Sequence, residues 1–269
     1  MQQNKMTSSK DSNLLVLKSG ENTLDSFASS LTKLSITNEV NSNSTLTILN
    51  LNNIRDIDIE LKENSYMLLS LLLENEINNL NIRVTAKSGA TIEGFIADFS
   101  KNNLNLNCAI DLKEEGASAY IKLASLSANK DDKQIAISIN HIVGKTYGRV
   151  DNYGVCKDFG KLLFSGTSHI FEKAVKSKTQ QNAKIMVFDA ESNAIAKPIL
   201  KIDENDIEAS HAAVVGKIND EHLFYLTSRG ISELDAKQLI TFGYLKPILA
   251  GFNNEETRNY ISSLIERRM

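Results

Sequence analysis

The chain contains no tryptophan, two prolines and two cysteines among its 269 residues. Each scarcity narrows what the protein can be. Cys108 and Cys156 lie far apart and form no CxxC pair or Cys/His set at ligand spacing, so they do not supply a structural zinc site. A disulfide is not expected between them, and both read as buried, apolar-like thiols. Charge of one sign is also lacking. The net charge is −3, and the basic end "IERRM" is too short to act as a nucleic-acid stripe. No apolar run approaches the ~20 residues of a spanning helix; the most apolar stretch, "YMLLSLLL" at 66–73, falls far short. The beginning, "MQQNKMTSSKDSNLL", has no apolar signal-peptide segment. These absences lead to the expectation of a cytoplasmic protein with neither nucleic acid nor membrane as partner. Walker A, GxGxxG, HExxH and GxSxG patterns are missing. The four histidines have no i, i+2 or i, i+4 partner. No enzyme motif is present, so the chain reads as non-catalytic.

What is present is strand pattern. With 42% hydrophobic and 23% charged residues, the chain can bury one large core, or a domain with a small appendage. Residues 1–12 are polar and expected to be loosely attached or disordered. From about 30 to 205 the sequence alternates apolar with polar. Examples are "TLTILNL" (45–51), "DIDIEL" (56–61), "NLNIRVT" (79–85), "LNLNCAI" (104–110), "SAYIKLASL" (118–126), "QIAISI" (134–139) and "AKIMVF" (183–188). Period two puts one face in a core and the other in solvent. Gly, Asn, Ser and Asp fill the intervals and make turns at low cost. Periodicity alone leaves a sandwich, a barrel and a parallel β-helix open. The lack of Asn-Gly or Asp-Gly hairpin turns between successive strands leans toward the β-helix.

The period changes near 219. Asn219 or Asp220 can cap a helix that Gly230 closes. Ser232, with Asp235 three residues on, starts a second over 232–251. Asn253 or Asn254 caps a third, whose acidic start and basic end suit the helix dipole. The expected fold is therefore mostly β with segregated α. Its segments are 1–29 at the N-terminus, 30–218 as β body and 219–269 as a small C-terminal helical domain. Helices this short and amphipathic must pack on something.

His222 falls inside the first tail helix and reads as exposed or packing. His169 is a turn or strand residue, and His141 is suited to hydrogen-bonding across coils. His211 stands beside Ser210, Ala212 and Ala213, small neighbours that leave an imidazole accessible or let two backbones approach. A neutral imidazole is a good ligand for iron, zinc or copper, although composition alone favours a structural role.

The stretch "ASHAAVVGKINDEHLFYLTSRGISELDAKQLITFGYLKPIL" resembles the C-terminal signature of the SufB/SufD family of the SUF iron–sulfur cluster assembly system. The residues that carry it are His211, then Leu223, Phe224, Tyr225, Leu226, Ser228, Arg229 and Gly230, then Asp235, Ala236, Gly243, Tyr244 and Leu245. Upstream, "HIVGKTYGRVDNYGVCKDFGKLLFSGTSHIFEKAVKSKTQQ" places His141, Gly154, Val155, Phe164, Gly166 and the Lys178-Thr179 pair in register with that family's coils. The resemblance covers roughly 141 to 250. It implies a right-handed parallel β-helix whose C-terminal helices dock the SufC-type ABC ATPase. Leu223, Phe224, Tyr225, Arg229, Gly243, Tyr244 and Leu245 would then contact the partner. It also implies edge-to-edge pairing with a SufB protomer, or with a second copy as a dimer. Many family members carry Cys two residues before the histidine; here that position is Ala209. The missing thiolate weakens any claim that this chain alone holds a cluster, and makes it SufD-like. His211 would face a partner's cysteine, so no cofactor is expected to be bound stably and iron or an iron–sulfur cluster would be shared transiently. Two alternatives stay open: a structural paralogue without metal chemistry, and a β-helix carbohydrate-active enzyme.

Overall fold

The computed structural model describes residues 14–25, 31–51, 53–74 and 77–269. The chain alternates between two eight-stranded parallel sheets. The first sheet holds β1 (Leu14–Leu17), β3 (Lys33–Asn38), β5 (Asp56–Leu61), β7 (Asn79–Ala86), β9 (Leu104–Leu112), β11 (Asp132–His141), β13 (Lys161–Ile170) and β15 (Asn193–Ile202). The second holds β2 (Gly20–Asp25), β4 (Asn43–Leu49), β6 (Tyr66–Leu73), β8 (Thr91–Asp98), β10 (Ser118–Ser127), β12 (Tyr147–Cys156), β14 (Lys178–Val187) and β16 (Glu208–Lys217). Every strand pairs with the next but one, which is the topology of a β-helix. Among the described residues the first strands are β1 and β2, ahead of the 30–218 body read from the sequence; a four-residue β1 and the polar β2 "GENTLD" carry little alternation. The disorder expected of residues 1–12 lies outside the described residues.

Register explains the period-two pattern. Ile59, Val84, Ile110 and Ile139 stack one above another through successive coils and are all buried. Each large aliphatic side chain so buried contributes about 1.5–3 kcal/mol. The column then continues through Ser168 to Leu200, so the lumen turns polar toward the last coils.

One corner of each coil is a repeated turn. Asn41, Asn64, Gly89, Gly116, Lys145 and Lys176 all have positive φ. Their amides donate in series to the carbonyls of Glu63, Ser88, Glu115, Lys145, Val175 and Asp206 of the following coil. The left-handed conformation aims each N–H along the solenoid axis. Asn and Gly adopt it cheaply. Hairpin dipeptides are absent because no strand here returns antiparallel to its neighbour.

The tail forms α1 (Asp220–Ser228), α2 (Glu233–Leu245), a 3₁₀ segment (Lys246–Gly251) and α3 (Glu255–Arg268). The caps are Asn219, Ser232 and Asn254, each accepting from first-turn amides. Leu245, Ile248, Phe252, Ile261 and Ile265 build a second core on the outer face of the second sheet, against Leu72, Phe99, Ala124, Leu126 and Val155. This accounts for "YMLLSLLL": β6 is buried on both faces in its second half, so its sequence need not alternate. Gly251 is required where the tail crosses the sheet, since a Cβ there would collide with the Phe95 ring. Arg268 closes the arrangement by pairing with Asp131 and donating to the Leu126 carbonyl at 3.1 Å.

Candidate interaction rim and helical face

Parallel, in-register pairing fixes which way each residue of the terminal strands faces. Thr179, Gln181, Ala183 and Ile185 of β14 are buried in the lumen. Their register partners in β16 are Ala209, His211, Ala213 and Val215. These four therefore continue the inward row, yet β16 is the last strand of its sheet among the described residues, so His211, Ala213 and Val215 are exposed and Ala209 is half-buried. The matching row on β15 is Ala194, Ala196, Pro198 and Leu200, all half-buried. Alanines at four of these eight positions leave less side-chain volume between the two strands than the Ile, Leu and Val of earlier coils. The end of the solenoid is thus a rim with two unpaired strand edges, each ten residues long. Exposed Ile195, Ile199, Ile202, Val214 and Val215 surround it. Exposed backbone donors and acceptors beside apolar side chains are what a second strand would pair with.

His211 is the one imidazole on that rim. It is exposed and makes no side-chain hydrogen bond or ion pair among the described residues, so both ring nitrogens are available to an incoming group. The other histidines are engaged or remote. His141 is buried, its Nδ1 lies 2.8 Å from Thr146 Oγ1, and Thr146 Oγ1 lies 2.9 Å from Ser177 Oγ in the next coil. His141 thus bonds within its own coil, and it is Thr146 that carries the link to the next one. Burial lowers its pKa to about 4, which keeps it neutral. His169 bonds Asp203 at 2.7 Å and stacks on Phe171. His222 is exposed on α1. Cys108 and Cys156 are both buried, and burial raises their thiols to about 12 and about 11, so neither is a thiolate near neutrality. No group of three or more His, Cys, Asp or Glu at metal-binding distance exists among the described residues.

The helical tail divides in two. α1 buries no residue. Phe224 is 74% exposed and Tyr225 57%, and Leu234 and Leu239 of α2 are more than half exposed. Arg229 lies over the Tyr225 ring, 5.1 Å from its centroid, and Leu223 is half-buried. A Cβ on Gly243 would meet open space. These residues form an apolar face with a cation at its margin. Tyr244 and Leu245 face the other way. Tyr244 packs edge-on against Tyr153 of β12, and burial raises its phenol to about 12. Leu245 is fully buried in the second core. Both hold α2 on the body, Leu245 with its side chain fully buried and Tyr244 half-buried.

One constellation escaped sequence reading. Lys133 and Asp98 are fully buried, with Nζ 2.8 and 2.9 Å from the carboxylate oxygens. Ser100 and Ser125 hydroxyls each lie 2.6 Å from the same carboxylate. Lysine beside serine suggests nucleophile chemistry, but every one of these groups has zero exposure and lines none of the grooves. Desolvation lowers the Lys133 pKa, and Asp98 opposes it. The cluster is structural. Its signal was an ordinary surface-like "DDKQ", because only the coil register brings Asp98 beneath Lys133. The exposed grooves on the two outer faces are lined by Asp58, Glu60 and Arg83, and by Glu93, Arg149 and Asp151. Arg83 bonds Asp56 and Asp58, and Arg149 bonds Asp151. Much of the charge that a carbohydrate-cleaving site would use is spent internally.

Comparison with known proteins gives a consistent match. The family model described as "SUF system FeS cluster assembly, SufBD core domain" covers residues 15–244. The iron-sulfur cluster assembly protein SufD of Bacillus subtilis is 30% identical over 159 residues, 59% of this chain and 36% of that protein. SufB of the same organism is 27% identical over 173 residues, 64% of this chain and 37% of that protein. SufD of Escherichia coli is 25% identical over 166 residues, 62% of this chain and 39% of that protein. The matched part is well under half the length of each relative.

Proposed function

The chain belongs to the SufBD core family of the SUF iron–sulfur cluster assembly system, and on that premise we propose that it is a SufD-like scaffold subunit. In this reading it pairs with a SufB-type subunit, or with a second copy, through the rim formed by β15 and β16. Its α1–α2 face receives a SufC-type ATPase, which supplies all the hydrolysis. The observation that carries the reading is His211 on the inward row of an uncovered edge strand.

A partner strand laid against β16 would bury that row and put His211 inside the junction. A neutral imidazole there can donate one nitrogen lone pair to iron while the other ring N–H is held by a neighbour. Ala209, two residues earlier and on the same inward row, supplies no thiolate, so sulfur ligands must come from the partner. Iron or a nascent cluster is cargo here, shared between chains rather than resident. The apolar face of Phe224, Tyr225, Leu234 and Leu239 is exposed on the helices that follow directly from β16. Motion of α1 driven by an ATPase would therefore act on the rim strand through residues 218–219.

The test is reconstitution with the SufB and SufC of the same organism. A ternary complex that loses only SufC on Phe224→Ala/Tyr225→Ala supports the scaffold reading. No association with either protein refutes it. His211→Ala in that complex should leave assembly of the subunits intact and reduce cluster formation by at least about tenfold, the loss of one metal ligand. Unchanged cluster formation would instead identify a structural paralogue without metal chemistry.

A further inference from the structure

The lumen beneath the rim contains polar side chains whose role neither pairing nor ATPase docking explains. Gln181 and Asn152 are each 4% exposed. Gln181 reaches across the lumen: its Nε2 donates to Ser168 Oγ at 2.7 Å and to the Ile199 carbonyl of β15 at 3.1 Å. Those two acceptors fix the orientation of the amide, since the reversed form would set its oxygen against a carbonyl. The oxygen, Oε1, then points toward Gly166, where a Cβ would come within 2.5 Å of it. Among the described residues neither Gln181 Oε1 nor Asn152 Oδ1 meets a protein donor. Both residues line one small cavity of about 10 Å³ together with Val150, Phe164, Gly166 and Pro198.

We propose that this cavity is a binding site for a single water molecule, held by Gln181 Oε1 and Asn152 Oδ1, and that the hydrated amide pair ties the β15 rim to β14. The volume suits one water and nothing larger. Two carbonyl acceptors call for a ligand with two donors, which water supplies. The lining has no charged residue, so a cation would be desolvated there without a counter-charge. Gly166 is needed because any side chain would occupy the water's place. Gln181 does two things at once: its oxygen binds the water, and its nitrogen holds the Ile199 carbonyl inward. That carbonyl belongs to a strand whose outer edge is free, so the tie fixes the geometry of the rim from inside. His211 is the register neighbour of Gln181 one layer further out, and so rests on this layer.

The experiment is a crystal structure of the full chain at a resolution that shows ordered water, joined to hydrogen exchange on Gln181→Met. The expected result is one density peak within hydrogen-bond distance of both oxygens. In the variant, β15 amides should exchange about tenfold faster, the effect of losing one or two net hydrogen bonds, while amides of β3 to β9 are unchanged. Gly166→Ala should remove the peak with the fold retained. A dry cavity, or protein donors found on the two oxygens, overturns the site. Unchanged β15 exchange in a well-folded Gln181→Met chain overturns the tie. Neither outcome depends on whether the chain joins a SUF complex.

Discussion

At the scale of single residues, burial decides what the ionisable groups do. His141 is neutral because its pocket penalises charge, and its pKa falls from 6.5 to about 4. The folded value lies below the unfolded one. Stability is therefore complete above about pH 6.5 and declines as pH falls through the folded pKa, because the unfolded chain takes up the proton first. Urea unfolding should show about 2 kcal/mol lost from His141 between about pH 7 and pH 5. A His141→Asn variant should lack that component of the slope, whatever its starting stability. Lys133 is desolvated in the same way but faces the Asp98 carboxylate. Replacing it with Met leaves the Asp98 carboxylate buried and uncompensated, at a cost of about 3–5 kcal/mol. Denaturation of the double variant Asp98→Ala/Lys133→Met should show a loss smaller than the two single losses added, since the pair is one unit.

At the scale of the element, the repeated corner sets the pitch of the coil. Its residues must accept positive φ and donate an amide to the next coil. Lys145 and Lys176 do so with φ of 57° and 60°, where earlier coils use Asn or Gly. Lys145→Asn should raise stability by about 1 kcal/mol, read as a shift in the urea midpoint without a change in slope. The lost Lys145–Glu115 pair is more than half exposed on both sides and adds little. Gly89→Ala should do the reverse, because its φ is +63° and a Cβ would meet Asn64 Oδ1 at 2.5 Å.

At the scale of the whole molecule, the tail is both cover and contact surface. α3 and the 3₁₀ segment complete the second core, whereas α1 touches little but α2. The two roles separate by mutation. Phe224→Ala/Tyr225→Ala should leave the melting temperature within about 2 °C of wild type, as expected for exposed positions. Deleting 219–269 uncovers Leu72, Phe99, Leu126 and Val155. The deleted form should bind a hydrophobic dye and melt well below the full chain. An unchanged melting curve would mean that the second core contributes nothing to the solenoid.

Much of the fold was legible because β-helix coils repeat one local rule. Alternation marks an inward and an outward row, while the lack of hairpin dipeptides only leans toward parallel pairing, which the family resemblance implied. Three capped helices were legible from Asn219, Ser232 and Asn254, since caps act within a few residues of sequence. The stretch around His211 stood out only through its resemblance to a family signature. The rest depended on register, which no local pattern encodes. The sequence alone determined the strands, the helices and the residue types at the rim. Tertiary structure decided that His211 faces inward on an uncovered edge, that Lys133 sits over Asp98, and that Leu245 belongs to a core while Phe224 does not. The physical reason is that a solenoid brings together residues one whole coil apart. Coil length, which varies from turn to turn, chooses which ones meet.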